Sequence, residues 1–144
     1  MPEARVTAAQ RRAVFKRAKC RCEYCRTPDA FVPDPFTLEH IWPRSKGGRT
    51  RLNNLALACI ACNSHKYNLT EAIDPISQKL VPLFHPRKQH WSEHFAWSDD
   101  GLLLIGLTPT GRATIDTLQM NHTKMTNLRR LLLLAGLHPP INET

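Results

Sequence analysis

The sequence contains no apolar run of about 18 residues, the length that a membrane-spanning helix needs. Its start, Met1–Lys19, lacks the apolar segment of a secretory signal, although its arginines are also typical of a mitochondrial transit peptide. Internal repeats and low-complexity stretches are absent as well, which excludes repeat architectures. We therefore expect a globular protein, and we favour a cytoplasmic location over a mitochondrial one.

Large apolar side chains are scarce in the first seventy residues. A domain of that size with so small an apolar core needs a staple, such as a bound metal or disulfide bonds. The whole chain of 144 residues suits one compact domain, or a small domain with an extension. We predict a stapled core over residues 1–70 and a C-terminal extension over residues 71–144.

Negative charge is also scarce in that first part. Residues 1–70 hold 13 Lys and Arg against 5 Asp and Glu, whereas residues 71–144 hold 7 of each, so the first part carries the whole net charge of +8. Such an uneven distribution is typical of a protein that binds a polyanion, with nucleic acid the first candidate. The alternative is a basic surface that only maintains solubility.

The five cysteines include two pairs with the spacing Cys-x-x-Cys, Cys22 with Cys25 and Cys59 with Cys62. This spacing is typical of zinc knuckles, in which a tight turn directs two sulfur atoms at one ion. A redox dithiol or disulfides are the alternatives, but a chain without a secretory signal favours metal ligands. We predict one structural zinc held by these four cysteines, and we expect Cys20 to be a buried small apolar side chain.

Three polar residues near the cysteines suggest phosphodiester chemistry. Hydrolysis of a phosphodiester needs a base that titrates near neutral pH, which the imidazole of His40 supplies. It also needs a cation, and Glu39 and Asn63 offer the hard oxygen ligands that suit Mg²⁺ or Mn²⁺. Taken alone, a histidine at the end of a strand is more often an ordinary structural residue.

The hydrophobic patterns predict an α+β protein. In the first part we expect a helix over residues 8–19, capped by Thr7. Two short strands should follow at residues 36–41 and 55–58, and a second helix at residues 62–67. The two strands and the following helix make a ββα unit. We expect residues 71–91 to be an irregular Pro-rich arm. A hairpin should follow, with strands at residues 95–98 and 102–107, and then two helices at residues 110–120 and 121–135. Asn121 is the expected cap of the last helix, whose leucines should face the core.

A dense set of residues between the cysteine pairs and beyond carries a family resemblance: Glu39-His40-Ile41-x-Pro43-x-Ser45-x-Gly47-Gly48, Asn54-Leu55 and Cys59-x-x-Cys62-Asn63-x-x-Lys66. Together with Cys22-Glu23-Tyr24-Cys25, this pattern resembles the zinc-bound subset of the HNH endonuclease family. The resemblance covers about a third of the chain. A further stretch, from Leu83 to Thr114, is similar to a tail found in bacterial and notably cyanobacterial HNH proteins.

The resemblance implies a ββα-metal fold and a role for each motif residue. His40 would be the general base that activates water, and Asn54 would fix the loop and the orientation of the imidazole. Glu39 and Asn63 would hold the divalent cation. Many family members have Asp at the position of Glu39 and His at that of Asn63. The longer carboxylate can still reach a metal, and an amide oxygen favours Mg²⁺.

We therefore expect a metal-dependent DNA endonuclease that leaves a 5′-phosphate. The candidate phosphate contacts are the basic residues of this region, Arg44, Lys46, Arg49, Arg51 and Lys66. The alternative is a zinc-stabilised module that binds nucleic acid without catalysis, since such a module needs the cysteines and arginines but not the catalytic set. RNA is a less favoured substrate, and the sequence leaves the oligomeric state open.

Overall fold

A computed structural model describes residues 5–140 of the chain. Over these residues the predicted α+β class is confirmed, with five α-helices, three short 3-10 helices and three separate pairs of antiparallel strands. The elements in chain order are α1 (Ala8–Arg17), β1 (Thr37–His40), β2 (Leu55–Ala58), α2 (Ile60–Lys66), β3 (Glu71–Ile73), β4 (Leu80–Pro82), α3 (Trp91–His94), β5 (Phe95–Trp97), β6 (Leu104–Gly106), α4 (Pro109–Leu118) and α5 (Thr123–Leu134).

These elements pack as two compact units. Of the described residues, the first unit contains residues 5–70 together with His85–Lys88, and the second contains Glu71–Phe84 and residues 89–140. No helix within residues 5–140 is both long and apolar enough to cross a membrane.

Helix α1 of the first unit begins with a reciprocal cap. The Thr7 hydroxyl accepts a hydrogen bond from the Gln10 amide at 3.0 Å, and the Gln10 side chain accepts one from the Thr7 amide at 2.9 Å. Val14 is the fully buried residue of this helix. The helix ends two residues earlier than the predicted range, at Arg17.

The predicted ββα unit is present. Strands β1 and β2 pair antiparallel, with Thr37 opposite Ala58 and His40 opposite Leu55. Every residue of β2 is buried, so its unbroken apolar run forms the centre of the first unit. Helix α2 follows directly, because Cys59 caps it by accepting a hydrogen bond from the Cys62 amide at 3.4 Å.

The Pro-rich arm is more regular than the sequence predicts. Strands β3 and β4 form a hairpin there, and the Asp74 carboxylate organises its turn by accepting the amides of Ile76 and Ser77 at 3.2 and 3.1 Å. Arg112 donates two hydrogen bonds to the same buried carboxylate, at 2.9 and 2.8 Å. These contacts hold the pKa of Asp74 well below its usual range.

Two expectations for the last helix are wrong. Its cap is His122, whose Nδ1 accepts a hydrogen bond from the Lys124 amide at 3.1 Å. Asn121 does not cap the helix, because its side chain accepts a hydrogen bond from the Leu104 amide and donates one to the Leu104 carbonyl. The leucines do not all face the core either. Leu132 is buried, whereas Leu131 and Leu134 are 65% and 82% exposed.

The aromatic residues of the second unit form its core. The rings of Phe84 and Trp91 each lie 5.2 Å from the ring of Phe95, and all three residues are almost fully buried. Trp97 joins this cluster at 5.7 Å from Trp91. Trp91 and Phe95 are therefore core residues of the second unit.

Candidate active site

The four paired cysteines form one buried cluster. Their sulfur atoms all lie within 4.8 Å of one another, and the Sγ atoms of Cys25 and Cys59 are 3.7 Å apart. Tetrahedral zinc with bonds of about 2.3 Å places its ligands about 3.8 Å apart, so the donor set fits a zinc ion. A disulfide needs a separation of about 2.05 Å, which this pair does not approach.

The first zinc knuckle, formed by residues 22–25, is a tight turn closed by backbone hydrogen bonds. The Cys22 amide donates to the Thr27 carbonyl at 2.9 Å and the Arg26 amide donates to the Cys22 carbonyl at 2.9 Å. Arg26 adopts a left-handed conformation, with φ at 65°. Hydrogen bonds from Cys22 and the other thiols hold the pKa of Cys25 well below its ordinary value. Burial raises the pKa of Cys22, and hydrogen bonds with Cys22 and the other thiols raise the pKa of Cys62. Of these three cysteines, the contacts therefore favour the thiolate at Cys25, and a thiolate is the form that binds metal.

Cys20 lies outside this cluster. It is exposed and has a left-handed backbone, with φ at 56°. The expectation of a buried Cys20 is therefore wrong, because the chain turns at Lys19 and Cys20 to leave α1 and enter the knuckle.

Glu23 fastens the first knuckle to β2. Its amide donates to the Leu57 carbonyl at 2.8 Å, and its Oε2 accepts the Leu57 amide at 2.8 Å. Its Oε1 accepts a hydrogen bond from Arg87, whose pKa falls to about 10 because the guanidinium is partly buried. Arg87 is therefore the internal partner of the Glu23 carboxylate.

His40 ends β1 and is oriented by a residue that the sequence analysis missed. Its Nε2 lies 2.9 Å from the hydroxyl of Thr50, which is 8% exposed. The Thr50 carbonyl in turn accepts a hydrogen bond from the Gln10 side chain at 3.2 Å. A residue in the first turn of α1 thus holds the residue that contacts the imidazole. No motif spacing signals Thr50, since the contact depends on how the loop closes.

Asn54 closes the loop that follows His40. Its Oδ1 accepts the Trp42 amide at 2.8 Å, and its Nδ2 donates to the carbonyls of Trp42 and Arg49 at 3.0 and 2.9 Å. Its own carbonyl accepts the Ile41 amide at 2.9 Å. Gly48 is required here, because a Cβ atom would lie 1.7 Å from the Trp42 carbonyl oxygen. The loop is therefore held at both ends.

Glu39 lies in a buried polar network. It is 5% exposed, its Oε1 accepts a hydrogen bond from the Tyr24 hydroxyl, and its Oε2 lies 3.2 Å from Nζ of Lys66. Burial raises the pKa of Glu39, while Lys66 and Tyr24 act in the opposite direction. Because Tyr24 belongs to the first knuckle, this network joins the cysteine cluster to the end of β1.

Lys66 does not have the surface position that a phosphate contact requires. It is 2% exposed, and its ammonium group also donates to the Ile41 carbonyl at 2.9 Å. Buried ionisable groups are normally paired, and the partner of Lys66 is the Glu39 carboxylate. Lys66 is therefore an internal partner of Glu39.

The other predicted site residues are more accessible. Asn63 is half-buried on α2, the helix that packs against β1. The remaining four cations of the predicted phosphate surface are all exposed: Arg44, Lys46, Arg49 and Arg51. The sequence has no acidic residue between His40 and Thr70, so no local carboxylate in that stretch offsets their charge.

The basic residues of α1 have two kinds of role. Arg17 donates to the carbonyls of Leu52, at 2.7 Å, and Leu55, while Arg11 donates to the Phe36 carbonyl at 3.3 Å. These arginines therefore support the backbone around β1 and β2. Other cations of the helix, such as Arg12, are exposed.

Comparison with known proteins gives one match. Residues 22–69, a third of the chain, match a family model described as HNH endonuclease. The match begins at the first cysteine of the cluster and ends just after α2. Neither the curated proteins nor the solved structures contain a match to the chain.

Proposed function

Because residues 22–69 match the family model described as HNH endonuclease, we propose that the protein is a metal-dependent DNA endonuclease with His40 as its general base. The observation that supports this proposal most is the placement of His40. It ends β1 beside a loop that Asn54 closes, its ring is held by Thr50, and that loop bears exposed cations.

His40 would take a proton from the water that attacks the phosphorus atom. An ordinary imidazole is largely neutral at neutral pH and can accept this proton. For His40 to accept the proton at Nδ1, Nε2 must carry the ring hydrogen and donate it to the Thr50 hydroxyl, an arrangement that is the same before and after the transfer. Thr50 can therefore hold the ring in one orientation throughout.

Asn54 would be a positioning residue. Its side chain bonds the backbone of Trp42 and Arg49, and its carbonyl receives the amide of Ile41, the residue after His40. It thereby fixes the backbone on both sides of the loop that also carries Thr50. Loss of this amide should let the loop, and with it the imidazole, move.

Glu39 and Asn63 would hold the catalytic Mg²⁺ or Mn²⁺. An ionised carboxylate offers about four lone-pair sites, of which Tyr24 and Lys66 use two, so coordination remains open to Glu39. When bound, the cation would neutralise charge on the phosphoryl oxygens and the leaving 3′-oxygen. Hydrolysis would then leave a 5′-phosphate.

The exposed cations would place the DNA backbone over this site. Arg44, Lys46, Arg49 and Arg51 follow His40 within one loop and its continuation toward β2. Contacts of this kind supply affinity without reading sequence. We exclude Lys66 from this set because of its burial.

A second candidate is a zinc-stabilised module that binds nucleic acid without cleaving it. One observation favours it: both oxygens of Glu39 already accept hydrogen bonds from internal donors. In that case the Glu39–Lys66 pair would only stabilise the fold, and His40 would be an ordinary residue at the end of a strand.

A metal titration separates these candidates. We expect Asn63→Ala to cleave supercoiled plasmid slowly at low Mg²⁺ and to recover as Mg²⁺ or Mn²⁺ is raised, because the substitution weakens only the cation site. Ser64→Ala, an exposed neighbour on α2, is the matched control and should behave like the parent. Binding of the same proteins to DNA in calcium should be equal. Absence of cleavage by the parent under every divalent metal, with binding retained, would favour the second candidate.

A further inference from the structure

Trp42 is a large aromatic side chain exposed beside the candidate active site. It is 48% exposed and lies two residues after His40. The other two tryptophans, Trp91 and Trp97, pack against each other in the aromatic core of the second unit. Trp42 is thus the tryptophan of the first unit, and the core does not account for its exposed ring.

The position of this indole is fixed by the surrounding loop. Its Nε1 donates to the Lys46 carbonyl at 3.0 Å, and its backbone amide and carbonyl are both bonded to the Asn54 side chain. Gly48 approaches so closely that a Cβ atom would meet the Trp42 carbonyl oxygen. A ring held in this way loses little conformational entropy when a ligand contacts its face.

The surroundings of the ring are strongly basic. Arg44, Lys46, Arg49 and Arg51 are exposed in the same stretch of chain. The fully buried core of a protein–protein interface is depleted of charge, so this setting is a poor apolar docking site. An aromatic face among cations is instead the arrangement that binds the bases and backbone of an unpaired nucleic acid strand.

We propose that Trp42 stacks on an unpaired base near the scissile phosphate, so that DNA with unpaired nucleotides is the preferred substrate class. In a regular duplex each base face is covered by its neighbour, whereas a single strand, flap or bubble offers a free face. This inference rests on the proposed function for DNA as the partner. It goes beyond that function by specifying that the preferred DNA contains unpaired nucleotides.

The test uses His40→Ala protein in calcium, so that binding is measured without cleavage. The probes are a short single-stranded DNA oligonucleotide, the same sequence as a blunt duplex, and the same sequence as RNA. Loss of one base–aromatic stack is worth about 1–3 kcal/mol. We therefore expect Trp42→Leu to weaken single-strand binding roughly 5- to 150-fold and to leave duplex binding nearly unchanged.

Trp42→Phe is the matched control, since it keeps an aromatic face but loses the N–H that bonds the Lys46 carbonyl. It should retain most of the single-strand affinity. If Trp42→Phe loses as much as Trp42→Leu, the indole acts by holding the loop and the stacking proposal is overturned. Zinc content and the unfolding midpoint of each variant check that the domain is intact.

Other outcomes also decide the matter. Equal weakening of single-strand and duplex binding by Trp42→Leu, or stronger binding of the RNA probe, would overturn the proposal. If the parent never cleaves DNA, yet a single-strand preference depends on the Trp42 ring, the stacking inference stands and the endonuclease proposal fails. If the parent cleaves DNA but shows no single-strand preference that depends on Trp42, the endonuclease proposal stands and the stacking inference fails.

Discussion

The two units of this protein are stabilised by different means. The second unit has an aromatic core in which Phe84, Trp91 and Phe95 are almost fully buried, with the Asp74–Arg112 pair at its hairpin. The first unit is built around two short strands, four clustered cysteines and a buried polar network. Residues 1–70, which make up most of it, also carry the whole net charge of +8. We infer that a metal held by four cysteines can stabilise a small domain that has no large apolar core. The surface of such a domain can then carry many cations.

The largest expected effect is loss of the staple. Structural zinc sites contribute apparent binding free energies of about 10–16 kcal/mol, much of it coupled to folding. We expect about one zinc per chain in the parent, measured by elemental analysis, and loss of both zinc and the folded first unit in Cys59→Ser.

Cys20→Ser is the control for that experiment, because Cys20 is exposed and lies outside the cluster. It should keep its zinc and unfold at the same temperature as the parent. A zinc-free parent, or a Cys59→Ser protein as stable as the parent, would show that this unit does not depend on a metal.

The next effect concerns the buried charge of Lys66. Removing one partner of a buried ion pair typically costs about 3–5 kcal/mol, because the other charge is left uncompensated. We expect Lys66→Met to lower the free energy of unfolding by about this amount, measured by urea denaturation in saturating zinc. Lys46→Met, at an exposed position, should change it little. A silent Lys66→Met would mean that the Glu39–Lys66 pair does not stabilise the first unit.

The third effect concerns the contact between Thr50 and His40. A neutral hydrogen bond is worth about 0.5–1.5 kcal/mol, so Thr50→Val should lower kcat roughly 2- to 10-fold while KM stays the same. Thr50→Ser, which keeps the hydroxyl, should restore the rate. Combined with His40→Ala, Thr50→Val should cost nothing further, because the group it orients is gone. An unchanged cost in that background would assign Thr50 a purely structural role.

The smallest effect per residue concerns the basic surface. Each phosphate contact contributes about −0.9 to the slope of log affinity against log salt. Replacing Arg49 and Arg51 by Gln should therefore reduce the steepness of that slope by about 2. The matched change in the second unit, Lys124→Gln with Arg130→Gln, should leave it unaltered. Equal changes from both pairs would contradict a phosphate surface confined to the first unit.

Short-range patterns in the sequence were sufficient for the parts of the first unit that depend on local spacing. Cys22 and Cys25 share a turn and Cys59 caps a helix, so their spacing predicts the cluster. The strand that ends at His40 follows from its alternating pattern. In the second unit the same reasoning missed the β3–β4 hairpin, since its turn depends on the Asp74 side chain.

Residues whose roles depend on tertiary packing could not be predicted. Lys66 looks like a phosphate contact until the fold brings it beside Glu39, 27 positions earlier in the chain. Thr50 contacts His40 only because the loop between them closes on Asn54. Leu131 and Leu134 match a helical period but remain exposed, because periodicity does not reveal whether a partner element covers that face.

The most direct test of the central proposal is plasmid cleavage in Mg²⁺ by the parent and by His40→Ala, with DNA binding of both measured in calcium. Loss of a general base typically lowers the rate by about 10²–10⁴-fold, while binding through arginine contacts should hardly change. We predict that His40→Ala binds DNA as the parent does and cleaves it slower by this factor. Cleavage by His40→Ala at the parental rate would contradict the account.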